Sequence, residues 1–378
     1  AFRSKAQVGL EPASAILTGM ARTCTKLSRG LLLVAAALFR SPAFAAGDGA
    51  YDRGRLDLPF VGHATFGKYP PLTDWTLLNA SDAEVVVLGV PMDMGTQYRS
   101  GARFGPRAIR EASTLYQFGH AEVYDFDTGE TYSYGRIVDA GDVDVVHTDT
   151  METHSRTQAS VETILTAGKT PIILGGDHSI TAPVCAALAR LGQPVTLVQV
   201  DAHLDFVDVR HGVRYGHGNC MRRCAEMGHI SKIFQLGIRG VSSTARSGFD
   251  DARAMGSTIL SVRQVRDMGA AKVAALVPED AAVYFSVDID GFDPSLSMGT
   301  GTPSHGGFLY YEVKDLIREI IARAHGGFVG MDLVEVSPPY DPAQVTSTLA
   351  ARVLLDAIGF ANHHRKRTCD SGKDATCA

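Results

Sequence analysis

From Glu84 onward the chain alternates short apolar runs with helix-length stretches, and most of the runs end abruptly in Gly, Asp or His. Six stand out: Val85–Val90, Pro171–Leu174, Val195–Val200, Ile233–Ile238, Val283–Val287 and Phe328–Val334. A strand with one wet face alternates apolar and polar positions. These runs do not alternate, so they predict strands covered on both faces. Between them lie predicted helices at Pro106–Ser113, Thr181–Leu191, Ser261–Leu276, Tyr311–Ala324 and Thr346–Phe360. That order predicts an α/β fold, a three-layer α/β/α domain with a mostly parallel central sheet. No repeat, low-complexity tract or linker interrupts residues 51–360, so 47–362 reads as a single domain. Beyond it, 363–378 reads as a solvated basic tail beginning His363-His364-Arg365-Lys366-Arg367.

The N-terminal 46 residues break the alternation. Arg22, Lys26 and Arg29 precede the apolar run Leu31–Phe39, and Ala43-Phe44-Ala45 has the small-x-small form of a cleavage site. The run is shorter than the roughly 20 residues needed to span a bilayer. Residues 1–46 therefore read as a leader for export (periplasmic or secreted) or for an organelle, although Arg40 between the run and the cleavage motif is unfavourable for a signal peptide. A disordered leader on a cytoplasmic protein is the alternative. The chain starts at Ala1 and its first Met is Met20, which fits a fragment, a misplaced start or a two-stage leader; all leave Ala46 onward as the mature protein.

Composition narrows the function classes. With 378 residues and 45% hydrophobic side chains the chain can bury a large core. A net charge of -5 and no long basic stripe argue against a nucleic-acid partner. A small soluble substrate is the expectation. The six cysteines, Cys24, Cys185, Cys220, Cys224, Cys369 and Cys377, are too scattered for a disulfide framework; Cys369 and Cys377 can pair in an oxidising compartment. Cys220 and Cys224 lack a second pair at zinc-finger spacing and read as buried thiols without a role.

In an open α/β sheet, ligands collect beyond the carboxyl ends of the strands. Three of the runs end there in metal-ligand residue types: Gly175-Gly176-Asp177-His178-Ser179, Asp201-Ala202-His203-Leu204-Asp205, and Asp288-Ile289-Asp290-Gly291-Phe292-Asp293-Pro294. Side chains two apart on an extended segment share a face, so Asp201, His203 and Asp205 can converge, as can Asp288 and Asp290. Alone, each motif has an ordinary alternative: a helix-capping Asp, a solvated turn, or a fragment of a calcium loop. Together they gather four aspartates, an arrangement that needs cations to neutralise it in a dry site. Two divalent ions meet that need. Carboxylate and imidazole donors suit Mn(II), and Ni(II) or Co(II) accept the same set.

With those three motifs in order, the chain resembles the ureohydrolase family of arginases and agmatinases, and its agmatinase branch more than the others. The likeness extends to Gly89-Val90-Pro91-Met92-Asp93, Gly101–Pro106, Gly299-Thr300-Gly301-Thr302-Pro303 and Gly330–Val336. It implies one metal on His178, Asp201, Asp205 and Asp288, and a second on His203, Asp201, Asp288 and Asp290, with Asp201 and Asp288 bridging. It implies hydrolysis of a guanidino group to urea and an amine, with agmatine the leading substrate. The same chemistry would serve 4-guanidinobutyrate, 3-guanidinopropionate or guanidine. Asp205 is the expected proton carrier, Glu335 the carboxylate that pairs with the guanidinium, and His217 a loop histidine that shuttles protons near its ordinary pKa. Asn219, expected at the substrate, and Cys220 stand where the family commonly has Thr and a Met or Pro. The charged loop of Asp208, Arg210, His211 and Arg214 suits a carboxylate tail as well as an ammonium. The resemblance also implies a trimer or hexamer. An inactive family member serving as a binding or regulatory subunit is the alternative from another class.

Overall fold

The computed structural model describes residues 58–116 and 122–370. Its strands are β1 (Val85–Gly89), β2 (Val123–Asp125), β3 (Glu130–Tyr132), β4 (Ile137–Asp142) and β5 (Thr170–Leu174), then β6 (Val195–Val200), β7 (Ile230–Leu236), β8 (Ser257–Leu260), β9 (Ala282–Asp288) and β10 (Phe328–Val334). The helices are α1 (Gly105–Ser113), α2 (Thr150–Thr166), α3 (Thr181–Ala187), α4 (Cys220–Ala225), α5 (Arg246–Ala254), α6 (Val262–Met268), α7 (Ala270–Ala274), α8 (Tyr310–Arg323) and α9 (Val345–Asp370). Eight strands form one sheet in the order β4-β1-β5-β10-β9-β6-β7-β8, and every pairing in it is parallel. Among the strands of the described residues, β2 and β3 alone pair antiparallel, as a short hairpin.

Both faces of the sheet are covered, as the continuous apolar runs require. Every residue of β6 and β9 is buried. Successive side chains point to opposite faces, so Val87, Val198 and Phe285 join Ile109, Ile317 and Leu354 of α1, α8 and α9, whereas Val86, Leu197 and Tyr284 join Val161 and Val184 of α2 and α3. At about 25 cal/mol per Å² of apolar surface removed from water, the two apolar layers are the main source of stability.

Differences from the sequence reading have local causes. The stretch 261–276 divides into α6 and α7 at Gly269, whose φ of 78° no helix accommodates. The last turn of 181–191 tightens into a 3-10 helix at Leu188–Leu191. The edge strands β4 and β8 lack a continuous apolar run; β4 carries Asp139 and Asp142, which pair with the Arg110 guanidinium at 2.8 and 2.6 Å. The solvated tail is corrected in part: α9 runs ten residues past Phe360, to Asp370. Asn362 donates to the Ser133 carbonyl at 2.8 Å, Arg365 pairs with Glu84, and Arg367 pairs with Glu130 at 3.4 Å. Such surface pairs are worth about 0–1 kcal/mol each, but they hold the helix onto the hairpin side of the domain. The leader, and Cys377 as a partner for Cys369, lie outside the described residues. Among the described residues no helix is long and apolar enough to cross a membrane.

Candidate functional site

The chemistry-bearing motifs leave β5, β6 and β9, and Glu335 follows β10. These are four adjacent strands at the middle of the sheet. Val200 of β6 is in register with Val287 of β9, so Asp201 and Asp288 emerge side by side one residue later. Side chains that are far apart in sequence are thus set against one another by backbone hydrogen bonding.

The local geometry is turned rather than extended, which amends the same-face argument. Asp201 Oδ1 accepts from His203 N at 2.6 Å, and Asp288 Oδ1 accepts from Asp290 N at 2.9 Å. Each leading aspartate thereby folds its own strand exit into a tight turn. Asp205 and Glu335 have φ of 52° and 64°, the left-handed region that non-glycine residues seldom occupy, and both side chains point into the site. Gly176 has no room for any side chain: a Cβ there would lie 1.8 Å from the Met92 carbonyl oxygen. Asp177 is the capping residue of its turn, accepting from Ser179 N at 2.8 Å and from Gly95 N at 2.6 Å. The helix-capping alternative holds for Asp177, while its neighbour His178 faces the site.

Two overlapping groups result, with donor atoms within 4.8 Å of one another in each: His178, Asp201, Asp205 and Asp288, and then Asp201, His203 and Asp290. Asp201 belongs to both. Asp288, expected to bridge as well, falls in the first group and reaches the second through its bond from Asp290 N. His178 Nδ1 lies 3.2, 3.0 and 3.2 Å from oxygens of Asp201, Asp205 and Asp288. It is buried and makes no hydrogen bond to any of them. Its other nitrogen, Nε2, donates to Ser286 Oγ at 2.9 Å, and Ser286 donates onward to Asp332 Oδ1 at 2.7 Å. With Nε2 engaged by Ser286, Nδ1 faces three carboxylates, which outweigh burial and raise His178 well above its ordinary value, so the place calls for a positive charge that a cation can supply. His203 Nδ1 lies 3.1 Å from Asp290 Oδ2, and its side chain is 30% exposed, so the site opens to solvent on that side.

Electrostatics agree with a cation site. Burial, then the charges of Asp205 and Asp290, raise the Asp201 carboxyl to about 7. Asp288 is raised by burial and by Asp290 and Asp201. Asp290 is depressed despite its burial, because His203 and Thr302 hold its charge. His203 rises to about 11, chiefly through Asp290. Burial lowers His217, but the bond and charge of Glu335 outweigh it and the value ends at about 9. His217 therefore carries a proton at neutral pH in the metal-free chain, rather than titrating near its ordinary value.

Glu335 is 1% exposed, so it faces the site and not the surface. Its Oε1 accepts from His178 N and from His217 Nδ1, both at 3.0 Å. Asn219 is buried with its amide engaged by the loop: Oδ1 accepts from Gly216 N at 3.1 Å and Nδ2 donates to the Val207 carbonyl at 2.6 Å. It braces the His217 turn instead of facing the open space. Thr302, from the Gly299–Pro303 motif, donates to Asp290 Oδ2 at 2.9 Å. Sequence reasoning missed Gln199, Gln235, Ser286 and Asp332. Gln199 donates to Asp201 Oδ2 at 2.6 Å, and Gln235 donates to Gln199 Oε1 at 2.6 Å. Their signal was available, since each is a polar residue inside a run that is otherwise apolar.

Comparisons with known proteins agree with this geometry. The arginase family model matches residues 83–359. The chain is 35% identical to the guanidinobutyrase of Pseudomonas aeruginosa over 312 residues, 81% of this chain and 94% of that one. It is 37% identical to the agmatinase of Cronobacter sakazakii, covering 74% of this chain and 87% of that one. The solved structure of proclavaminate amidinohydrolase from Streptomyces clavuligerus superposes with a TM-score of 0.72 at 32% identity, covering 81% of this chain and 99% of that one. With these relatives and this arrangement of strands, the chain belongs to the arginase family of ureohydrolases, hydrolases that act on C–N bonds.

Proposed function

We propose that this protein hydrolyses a guanidino compound to urea and an amine at a dinuclear divalent-metal centre. The observation that carries the reading is His178 Nδ1, buried and without a hydrogen bond amid three carboxylate oxygens, beside a second cluster that shares Asp201. His178, Asp201, Asp205 and Asp288 would hold one ion; His203, Asp201 and Asp290, assisted by Asp288, would hold the other. Mn(II) matches the oxygen-rich donors best, with Ni(II) and Co(II) next. Bound there, the pair supplies Lewis-acid activation of water near neutral pH.

The chain's own groups do the rest. Asp205 takes a proton from the attacking water and returns it to the departing nitrogen. Glu335 pairs with the planar guanidinium, whose N–H groups match a carboxylate, and turns its central carbon toward the metal side. His217, bonded to Glu335 Oε1 at 3.0 Å, is placed to relay protons on the loop side. Asn219 keeps that loop in place.

Agmatine is the substrate to which the sequence resemblance points. A specific observation supports a second reading, a guanidino acid. Asp208 is paired with Arg223 at 2.5 Å and Arg214 at 3.4 Å, whereas Arg210 bonds only to neutral groups, Gln97 Oε1 and the Ser243 carbonyl, both at 2.9 Å. The uncompensated charge on that loop is positive, which suits a carboxylate tail. The human relative named guanidino acid hydrolase, mitochondrial, is 36% identical. The trimer or hexamer remains the expectation for assembly.

The test is urea release from agmatine, 4-guanidinobutyrate, 3-guanidinopropionate, arginine and guanidine, each with Mn(II) and then Ni(II). One of the first three is expected to exceed the others in kcat/KM. No urea from any compound, in protein shown to hold metal, would leave the binding or regulatory subunit as the reading. A second prediction concerns the support beneath the site. Ser286→Ala removes the acceptor for His178 Nε2–H and should weaken divalent-ion binding by about 10–100-fold, the usual effect of losing such a partner. Calorimetric titration reads it, and unchanged affinity would deny Ser286 that role.

A further inference from the structure

Cys220 opens α4, is buried, and was expected to have no role. Its Sγ lies 3.4 Å from the His217 carbonyl oxygen and 3.7 Å from Asp205 Oδ2. With His178 and Asp205 it forms a third cluster of donor atoms, all within 4.8 Å of one another and all on buried residues. The thiol does not stand alone, since the unbonded Nδ1 of fully buried His178 is aimed into the same space. The spacing is also right. In a tetrahedral site with metal–sulfur near ~2.3 Å and metal–oxygen near ~2.1 Å, sulfur and oxygen lie about 3.6 Å apart. Alternative ligands for the sulfur are few, because its remaining neighbours include the thiol of Cys224 and apolar packing.

Hard and soft donors therefore meet at one end of the site. The carboxylates favour Mn(II), while a thiolate favours Zn(II), Cd(II) or Co(II). We propose that Cys220 is a conditional donor which, with His178 and Asp205, captures a thiophilic divalent ion in place of the hard ion that activates water. On binding, the Sγ–H bond breaks, a sulfur–metal bond forms and one proton leaves to solvent; no electron is transferred. An ion held this way also engages the Asp205 oxygens, so it inhibits rather than supports hydrolysis. The inference rests on the metal-centre reading above.

Cobalt separates the two ideas. Visible ligand-field bands report Co(II) in the protein whatever its donors, and a near-ultraviolet sulfur-to-cobalt charge-transfer band reports coordination by Sγ. The metal-stripped full chain, titrated with Co(II), is expected to show both. Cys220→Ser and Cys220→Ala should lose the charge-transfer band and keep the ligand-field bands, whereas Cys224→Ser, one helical turn away, keeps both. The Cd(II) concentration that displaces Mn(II) should rise at least about tenfold in Cys220→Ser, since loss of supporting groups alone costs 10–100-fold. Ligand-field bands without a charge-transfer band in the wild type would overturn the Cys220 assignment and leave the metal centre standing. Absence of both would remove both. Should either Cys220 variant lose its native circular dichroism, the other variant and the Cd(II) competition decide.

Discussion

Asp205→Asn should fold, bind metal and lose about 10³-fold or more in kcat for urea release, within the range of about 10²–10⁴ that a positioned acid–base group contributes. Three features separate the chemical loss from a structural one. Asp205 sits at a φ of 52°, a region that Asn occupies as readily as Asp, so the turn survives. Its carbonyl oxygen accepts from Met221 N at 3.1 Å and Arg222 N at 3.4 Å, and the substitution leaves that anchor of α4 intact. His178, Asp201 and Asp288 still surround the ion position. What disappears is an oxygen able to take a proton, because the amide can ligate weakly through its carbonyl but cannot act as a base. Turnover should be measured beside metal content and melting temperature. Near-normal turnover in metal-replete Asp205→Asn protein would assign the proton transfer to another group.

Metal removal is expected to abolish urea release and to lower Tm by on the order of 10 °C. An ion at about 1,000 times its Kd stabilises by about 4 kcal/mol, and each kcal/mol is roughly 2–4 °C in a domain of 150–250 residues. The gap should widen with pH. In the stripped chain Asp201 is raised to about 7, so between its ordinary value of 3.8 and about 7 the native state holds more protons than the unfolded state. Stability then falls as pH rises through that window. His203, raised to about 11, acts in the same sense: its stabilisation is complete below the ordinary 6.5 and is lost as pH rises toward 11. In the loaded chain the cations neutralise the carboxylates and that slope is removed. Scanning calorimetry at pH 6 and pH 8.5, with and without chelator, reads both parts; a gap that shrank with pH would contradict the proposed electrostatics.

The sheet and the convergence of the six candidate metal-holding residues, two His and four Asp, were legible because buried parallel strands leave an unbroken apolar signature and these residues sit just past its end. β5, β6, β9 and β10 were found in this way. β4 and β8 were not, since an edge strand has one free side and carries polar residues such as Asp139 and Ser257. Gly269 punctuates a helical pattern that periodicity alone reads as continuous. The pairing of Glu335 with His217, which sets that histidine's protonation, joins residues 118 apart in sequence and follows from no local pattern. Nor could spacing have indicated that Asn219 turns inward to its own loop, or that Cys220 abuts Asp205.

The adjacency of β5, β10, β9 and β6 has an evolutionary corollary. Neighbouring strands lie about 4.8 Å apart whatever their side chains, because the peptide ladder fixes the interval. The separation of Asp201 from Asp288 is thus inherited from main-chain geometry, and no surface insertion can stretch it. On the proposed reading, tail selection falls to loops such as the one that holds Arg210 against Gln97 and the Ser243 carbonyl, so the rim can be rewritten while the spacing at the strand ends stays as it is.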